Sequence, residues 1–264
     1  KHRGLLFHPL LAVTPERISL GVVKSHFYAR KKLGQEKVCE QRAIEEKESF
    51  RWLQHYCHGC ELAERFPQTQ FVVVGDRESD IQEVYIEHAN RPEHARADWL
   101  IRSAQDRCVI HEGQAGKLWH VVRGLKPIGQ LTFELPARAN KPSRRITQYL
   151  RTTRLTLKAT QRRGGRGNLK AVDVTVVHAC EINPPAGEEA VEWLLLTSVD
   201  VTTAEKAIDI MNWYLCRWEI EIFFKILKSG CAIEKNQLTT AERYMPCLAL
   251  YTPDRSKCPK KLAN

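Results

Sequence analysis

The chain has 264 residues and a formal net charge of +10, and it is 43% hydrophobic, 27% charged and 8% aromatic, as in globular proteins with a sizeable core. This composition excludes a collagen, a coiled coil or a disordered protein as a description of the whole chain. No segment approaches the roughly 18 uninterrupted apolar residues of a membrane helix, and the apolar run after residues 1–4 is too short for a signal peptide, so we expect a cytoplasmic protein without a membrane segment.

Two apolar runs within residues 4–30 flank the sequence Thr-Pro-Glu-Arg, which predicts two strands joined by a turn. Residues 36–65 carry apolar side chains at mostly helical spacing, which predicts an amphipathic helix broken near Gly59. This helix contains the sequence HYCHGC at residues 55–60, but a structural zinc site usually takes two cysteine pairs and the chain has no second Cys-x-x-Cys. A plain helix is therefore favoured over a zinc site, with reduced thiols, since no secretory signal accompanies the nine cysteines.

A short apolar run follows at residues 71–74, with the sequence FVVV and no polar alternation. This pattern is typical of a strand covered on both faces, and it brings Asp76 to the edge of the core. Residues 79–88 are predicted to form a helix and residues 98–103 the next strand. A strand-helix-strand unit with buried strands indicates an α/β fold.

From residue 108 to residue 198 the pattern changes to alternating segments separated by Gly and Pro. We interpret this part as β-rich, with strands that include residues 118–122, 130–134, 155–159 and 172–177.

The basic residues are concentrated in this β-rich part. Between Lys117 and Lys170 there are fourteen Lys and Arg but one acidic residue, Glu134. Residues 161–167 are predicted to form a flexible hairpin tip that tracks a phosphate backbone through Arg162, Arg163 and Arg166. Such a local excess of positive charge favours a nucleic-acid partner, with a solvated basic face as the alternative.

The strongest local signal is one long helix predicted from about residue 203 to residue 229, with a capping-box pattern at its start and Gly230 at its end. A regular helix aligns a polar face along one side, made of Tyr214, Arg217, Glu221, Lys225 and Lys228. By spacing alone, this face is also typical of a surface helix with an ion pair between Arg217 and Glu221.

The order Tyr214-x2-Arg217-x3-Glu221-x6-Lys228 resembles the Tyr-Arg-Glu-Lys signature of DDE transposases of the insertion sequence four family. Residues 74–81 (VGDRESDI) resemble the second acidic motif of that family, and residues 45–53 resemble the segment before it. The resemblance extends from residue 4 to about residue 243.

The resemblance implies a ribonuclease-H-like α/β core interrupted by a β-rich insertion. Residues 1–107 and 201–245 would form the core, residues 108–200 the insertion and residues 246–264 an irregular tail. By motif match, Asp76 and Glu221 would be two of three carboxylates that hold two divalent ions, Mg²⁺ or Mn²⁺, for phosphoryl transfer on double-stranded DNA. The resemblance also implies a homodimer for the complete protein, acting on transposon ends and target DNA.

Further residues are implied in DNA binding. Tyr214, Arg217 and Lys228 would contact phosphates near the cleaved end, and Arg102 resembles another family position that touches DNA. Trp193 matches the place where the family stacks a flipped base, although a tryptophan packed in the core is the alternative.

The sequence departs from the family pattern at both ends. No aspartate precedes Asp76, and the polar, Pro-bearing tail after Tyr251 does not continue the helical apolar pattern. We therefore expect a fragment that lacks the first core strand with its catalytic Asp and is truncated at both ends. Three other classes remain open: a non-catalytic DNA-binding remnant or inhibitor of transposition, another ribonuclease-H-like or restriction-type nuclease, and an RNA-binding module.

Overall fold

The computed structural model describes residues 6–28, 43–135, 142–161, 168–235 and 243. The chain divides into two compact units, one formed by Lys1–Val38 with Leu215–Asn264 and the other by Cys39–Tyr214. No helix in the described ranges is long and apolar enough to cross a membrane.

Strands and helices alternate between residues 50 and 102, and strands predominate from residue 108 to residue 197. The strands are β1 (Leu6–Val13), β2 (Ser19–Tyr28), β3 (Val72–Gly75), β4 (Asp98–Arg102), β5 (Cys108–His111), β6 (Gln114–Lys117), β7 (Gly129–Leu135), β8 (Arg144–Leu157), β9 (Thr160–Gln161), β10 (Asn168–Leu169), β11 (Val172–Glu181) and β12 (Glu192–Thr197). The helices are α1 (Phe50–Arg65), α2 (Gln82–Asn90), α3 (Leu118–Gly124), α4 (Ala204–Leu215) and α5 (Glu219–Lys225).

One eight-stranded mixed sheet organises the larger unit. Its order is β3-β4-β12-β11-β8-β5-β6, and β7 pairs with β8 beside this path. The pair β3–β4 is parallel, whereas the other pairs of the sheet are antiparallel. The α/β fold is thus confirmed, and strands from the β-rich part of the sequence extend the same sheet as β3 and β4.

The sheet buries side chains on both faces. Helices α1, α2 and α3 cover one face, where Tyr56, Tyr85 and Leu118 join a core with Leu194 and Leu196 of β12. Because successive strand residues point to opposite faces, the odd-numbered residues of β12 lie on the other side. There α4 buries its own apolar residues, and its Tyr214 ring lies 6.3 Å from the ring of Trp193.

Helix α1 runs without interruption through Gly59, so the predicted break is wrong. A Cβ at this position would lie 2.5 Å from Cγ2 of Val73. The glycine therefore serves close packing of the helix on β3, and not a change of helix direction. The first seven residues of the predicted helix, 36–42, lie outside the described part of the chain.

Strand β3 occurs where it was predicted, but it is not fully covered on both faces. Val72, Val73 and Val74 are each half-buried. Within the described ranges β3 pairs with β4 alone and forms one border of the sheet. The helix predicted from residue 79 begins later, at Gln82, because a 3-10 turn occupies Arg77–Ser79.

Residues 118–122 were predicted to be a strand but belong to helix α3. Leu118 and Val122 lie one turn apart and are both fully buried, so a helical spacing fits the same residues. The helix start is stabilised from outside the segment, since Asp106 Oδ1 accepts a hydrogen bond of 3.0 Å from the backbone N of Trp119. This long-range cap is not visible in the local pattern.

The long helix predicted for residues 203–229 is divided into pieces. A 3-10 turn at Cys216–Trp218 separates α4 from α5, and a π turn at Ile226–Gly230 follows. A threonine caps the start of α4, one residue later than the capping-box pattern predicted: Thr203 Oγ1 accepts a hydrogen bond of 3.3 Å from the backbone N of Lys206. The regular spacing of 100° per residue is therefore not kept along this segment.

The smaller unit contains the predicted hairpin. Strands β1 and β2 pair antiparallel and form their own two-stranded sheet. Phe7 stacks on Phe27 with ring centroids 4.8 Å apart, and it meets Phe224 of α5 edge-on at 6.1 Å. Aromatic contacts thus hold α5 against the hairpin.

Candidate active site

Three chain segments with chemically active residues meet at one edge of the large sheet. The parallel strands β3 and β4 end side by side, so Asp76, directly after β3, and Arg102, the last residue of β4, lie at the same edge. Strand β12 runs in the opposite direction beside β4, which brings its first residue, Glu192, to this edge as well. An Arg102 guanidinium nitrogen donates a hydrogen bond of 3.3 Å to the backbone oxygen of Glu192.

Asp76 occupies a tight turn at the end of β3. Its Oδ1 accepts a hydrogen bond of 2.9 Å from the backbone N of Glu78, and its backbone oxygen accepts one of 2.6 Å from Ser79 Oγ. A Cβ on Gly75 would lie only 2.0 Å from that hydroxyl oxygen, so a glycine is needed before the aspartate. Within the described ranges Oδ2 of Asp76 accepts no hydrogen bond, and the side chain is half-buried.

A second aspartate of the same turn, Asp80, is the centre of a buried network that sequence reasoning missed. Its carboxylate is fully buried and accepts hydrogen bonds from Tyr85 Oη at 2.6 Å, from the backbone N of Ala104 at 2.7 Å and from Arg107 Nη1 at 2.5 Å. Burial, together with the Asp80 charge, raises the pKa of Tyr85 well above its ordinary value, so the phenol stays a donor. The network ties the segment after β3 to the segment after β4.

Glu192 anchors a cluster of polar side chains on the face of the sheet that α1, α2 and α3 cover. Its carboxylate accepts hydrogen bonds from His178 Nε2 at 2.7 Å and from Arg123 at 3.1 and 2.7 Å. Burial opposes ionisation of Glu192, yet these hydrogen bonds lower its pKa below the ordinary value. Burial also lowers the pKa of His178, against the opposing effect of the Glu192 hydrogen bond, which favours a neutral ring.

Trp193 points to the opposite face and is largely buried, with 8% of its surface exposed. Its ring stacks on Phe133 of β7 with centroids 5.8 Å apart and lies 6.3 Å from the ring of Tyr214. Tyr214 is 2% exposed and therefore does not share an exposed polar face with the charged residues that follow it, contrary to the prediction.

The other residues of the predicted polar face belong to the smaller unit. Arg217 and Glu221 form an ion pair of 2.8 Å, and 64% of the Glu221 side chain is exposed. Lys228 lies 3.2 Å from Glu234, and Lys225 is exposed. The spacing of four residues thus gives the ion pair between Arg217 and Glu221 that was expected for a surface helix, with exposed cations nearby in the sequence.

The described part of the basic region contains several exposed cations. Arg145 and Arg154 of β8 are exposed, as are Lys126 and Lys158. Ion pairs bind some of the other arginines, including Arg144, which contacts Glu181. The predicted tip residues Arg162, Arg163 and Arg166 lie outside the described residues.

The side chains of residues 55–60 contact different partners along α1. Cys57 Sγ lies 4.0 Å from a carboxylate oxygen of Glu87, and Cys60 Sγ accepts a hydrogen bond from the backbone N of Ala97 at 3.4 Å. In the described part of the chain, a convergent set of three ligand types occurs elsewhere, at His178, Cys180 and Glu192, whose ligand atoms lie within 4.8 Å of one another.

Residues 58–244 match the model of a protein family described as "Transposase DDE domain". The match includes β3 with Asp76, β4 with Arg102, and the helical segment that carries Glu221.

Proposed function

The chain belongs to the transposase DDE domain family, and we propose that it is a cut-and-paste transposase of the insertion sequence four group. Enzymes of this family transfer phosphoryl groups on DNA and generally use divalent metal ions. The narrower assignment is supported by the Tyr-Arg-Glu-Lys spacing from Tyr214 to Lys228.

One observation carries the proposal for the site. Asp76 follows β3 and Arg102 ends the neighbouring parallel strand β4 at one sheet edge, where a carboxylate and a guanidinium can meet the same phosphate. The carboxylate would hold a metal ion, and the planar guanidinium would bind a phosphate oxygen. We therefore propose Asp76 as a metal ligand and Arg102 as a DNA contact.

The donors available fit Mg²⁺ or Mn²⁺, because these ions prefer hard oxygen ligands. Asp76 has one carboxylate oxygen without a hydrogen bond in the described ranges, and the Glu221 carboxylate is mostly exposed. When bound, two such ions activate the attacking oxygen and stabilise the leaving oxygen. In this proposal Asp76 and Glu221 each supply a carboxylate as a metal ligand, and Arg217 and Lys228 neutralise phosphate charge.

Trp193 and Tyr214 would contribute to DNA binding as an adjacent aromatic pair. The phenol would contact a phosphate, and the indole would stack on an extruded base at the sheet edge. Because Trp193 is 8% exposed and Tyr214 is 2% exposed, we expect both contacts to require a displacement of neighbouring side chains, which for Trp193 include Phe133.

We also propose that residues 108–200 are an insertion into a ribonuclease-H-like core formed by residues 1–107 and 201–245. Strands β5, β8, β11 and β12 support this division, since they extend the sheet beyond β4 by antiparallel pairs alone. The exposed arginines of β8 and the tip residues Arg162, Arg163 and Arg166 would bind the DNA backbone. Assembly into a homodimer stays a prediction.

The proposal is tested by nicking of supercoiled plasmid DNA in Mg²⁺ or Mn²⁺, with EDTA as the blank. Asp76→Asn and Glu221→Gln should each remove metal-dependent nicking but keep DNA binding. The control Glu78→Gln changes an exposed carboxylate of the same turn and should keep both activities. Nicking that survives in Asp76→Asn and Glu221→Gln would exclude their proposed roles.

The alternative is a non-catalytic DNA-binding protein that interferes with transposition. It predicts binding that weakens steeply with salt and no nicking with either metal ion. Its specific support is the local excess of positive charge between Lys117 and Lys170, where fourteen Lys and Arg accompany one acidic residue, because such an excess binds DNA without any cleavage chemistry.

A further inference from the structure

We propose that His178, Cys180 and Glu192 form a binding site for a thiophilic divalent metal ion of the zinc class. This site is different from the proposed Mg²⁺ site in its ligands and does not depend on the proposed DNA chemistry. The occupant would be held by an imidazole nitrogen, a thiolate and a carboxylate, with water as a fourth ligand.

The pairing of β11 with β12 brings the three side chains together. His178 and Cys180 are two residues apart on β11 and therefore point to the same face. Cys180 is the register partner of Glu192 on β12. The ligand atoms lie within 4.8 Å of one another, with His178 Nε2 2.7 Å from Glu192 Oε1, and tetrahedral Zn²⁺ with bonds of about 2.0–2.3 Å spaces its ligands between these two values.

A second observation concerns the imidazole of His178. The side chain is 1% exposed, and its Nδ1 has no hydrogen-bond partner in the described part of the chain. The Glu192 carboxylate can only accept, so Nε2 donates to it and Nδ1 of the neutral ring carries an unused lone pair. Because Nε2 is the ring nitrogen that faces Glu192, metal binding would exchange this hydrogen bond for a bond to the ion, and the ring proton would move to Nδ1, whose lone pair is free to take it.

The charges also suit a divalent ion. A thiolate from Cys180 and the Glu192 carboxylate together neutralise a charge of two, and the thiol proton is released to solvent on binding. Arg123 binds the same carboxylate through Nε to Oε1 at 3.1 Å and through Nη2 to Oε2 at 2.7 Å, and 59% of its side chain is exposed. It can therefore remain as the hydrogen-bond partner that ligating carboxylates usually have.

The ligand types determine which ion is selected. Thiolate and imidazole ligands favour Zn²⁺ over Mg²⁺ or Ca²⁺, which prefer oxygen. Solvent can reach the site, because Cys180 is half-buried and 21% of the Glu192 side chain is exposed. The edge-on contact of Trp119 with His178, at 6.1 Å between centroids, fixes the plane of the imidazole.

The experiment is a titration of the full chain, purified with a chelator that is then removed, with Co²⁺ as a coloured substitute for Zn²⁺. We expect a thiolate-to-cobalt charge-transfer band that saturates at one ion per chain. Zn²⁺ should remove the band at stoichiometric concentration, and a thousandfold excess of Mg²⁺ should not.

Variants connect the band to the site. Cys180→Ser should abolish it, whereas the matched control Cys57→Ser, another half-buried thiol, should leave it unchanged. His178→Ala should weaken Co²⁺ binding at least tenfold. Circular dichroism of each variant checks that it is folded. A second measurement needs no substitution: the rate of alkylation of Cys180 in the unmodified chain is compared with and without Zn²⁺.

Three results would overturn the proposal. They are the absence of the band in the unmodified chain, its persistence in Cys180→Ser, and equal alkylation of Cys180 with and without Zn²⁺. Saturating Co²⁺ binding that Cys180→Ser removes, together with Zn²⁺ protection of that thiol, would establish the site.

Discussion

Replacement of Asp80 by Ala should destabilise the larger unit more than any surface substitution in the same turn. The carboxylate is fully buried, and its main partner, Arg107, is only 9% exposed. Removal of the carboxylate leaves the guanidinium without its counter-ion and the backbone N of Ala104 without its acceptor. Both groups were desolvated on folding, so their loss of partners is not compensated by water.

The expected magnitude follows from the burial of the pair. Removing one partner of a buried ion pair costs about 3–5 kcal/mol, whereas an exposed pair contributes about 0–1 kcal/mol. Glu78 provides the contrast within the same turn, because it pairs with Arg51 at 2.9 Å but is 67% exposed. Since domains are stable by about 5–15 kcal/mol, Asp80→Ala should remove a large share of the total.

The assay is urea unfolding followed by circular dichroism, with Glu78→Gln as the control. The combined variant Asp80→Asn with Arg107→Met should lose less free energy of unfolding than the sum of its single variants, because no buried charge is left unpaired. An Asp80→Ala variant that loses less than about 1 kcal/mol would refute the reasoning, since that is the range of exposed pairs.

Three further predictions concern stability and DNA binding. Gly59→Ala should lower the melting temperature despite a gain in helix propensity of about 1 kcal/mol, because the added methyl group would lie 2.5 Å from Val73 Cγ2. Glu181→Gln should lower the free energy of unfolding mainly above pH 4.5, because hydrogen bonding to Arg144 holds the pKa of Glu181 in the folded protein below its ordinary value of 4.5. The stability that Glu181 contributes is therefore lost as the pH falls below 4.5 and through the lower pKa of the folded state. Urea unfolding of both proteins at several pH values measures this difference. If β8 binds DNA as proposed, Arg154→Ala should reduce the slope of log affinity against log salt by about 1 in a binding titration.

Local patterns in the sequence predicted much of the fold. The hairpin β1–β2, strand β3 and strand β4 were each predicted from apolar runs bounded by turn residues, and the structure confirms them. The end of β3 also placed Asp76 at the edge of the sheet. These features depend on neighbours in sequence, which explains why a single sequence was sufficient.

The differences arise where distant residues decide the conformation. Residues 118–122 fit both a strand and a helix, and the cap from Asp106 stabilises the helix. Asp80 gave no signal, because its partner Arg107 is 27 residues away and no spacing rule connects them. The 3-10 turn at Cys216–Trp218 likewise changes the phase of a helix whose apolar pattern looks continuous.

The first two residues of β12 place side chains on opposite faces of the sheet, and this affects the tests of DNA binding at the proposed site. Glu192 and Trp193 are consecutive, so their side chains point to opposite faces. Glu192 binds Arg102 through its backbone oxygen and Arg123 through its carboxylate. A change at Glu192 that displaces the start of β12 would therefore disturb two proposed DNA contacts, Arg102 and Trp193, although Glu192 itself is not a proposed DNA contact. Two controls are therefore needed before a loss of DNA binding in Trp193→Ala can be assigned to base stacking. Glu192→Gln, which keeps the backbone contact to Arg102, must retain DNA binding. Trp193→Phe must bind DNA more tightly than Trp193→Ala.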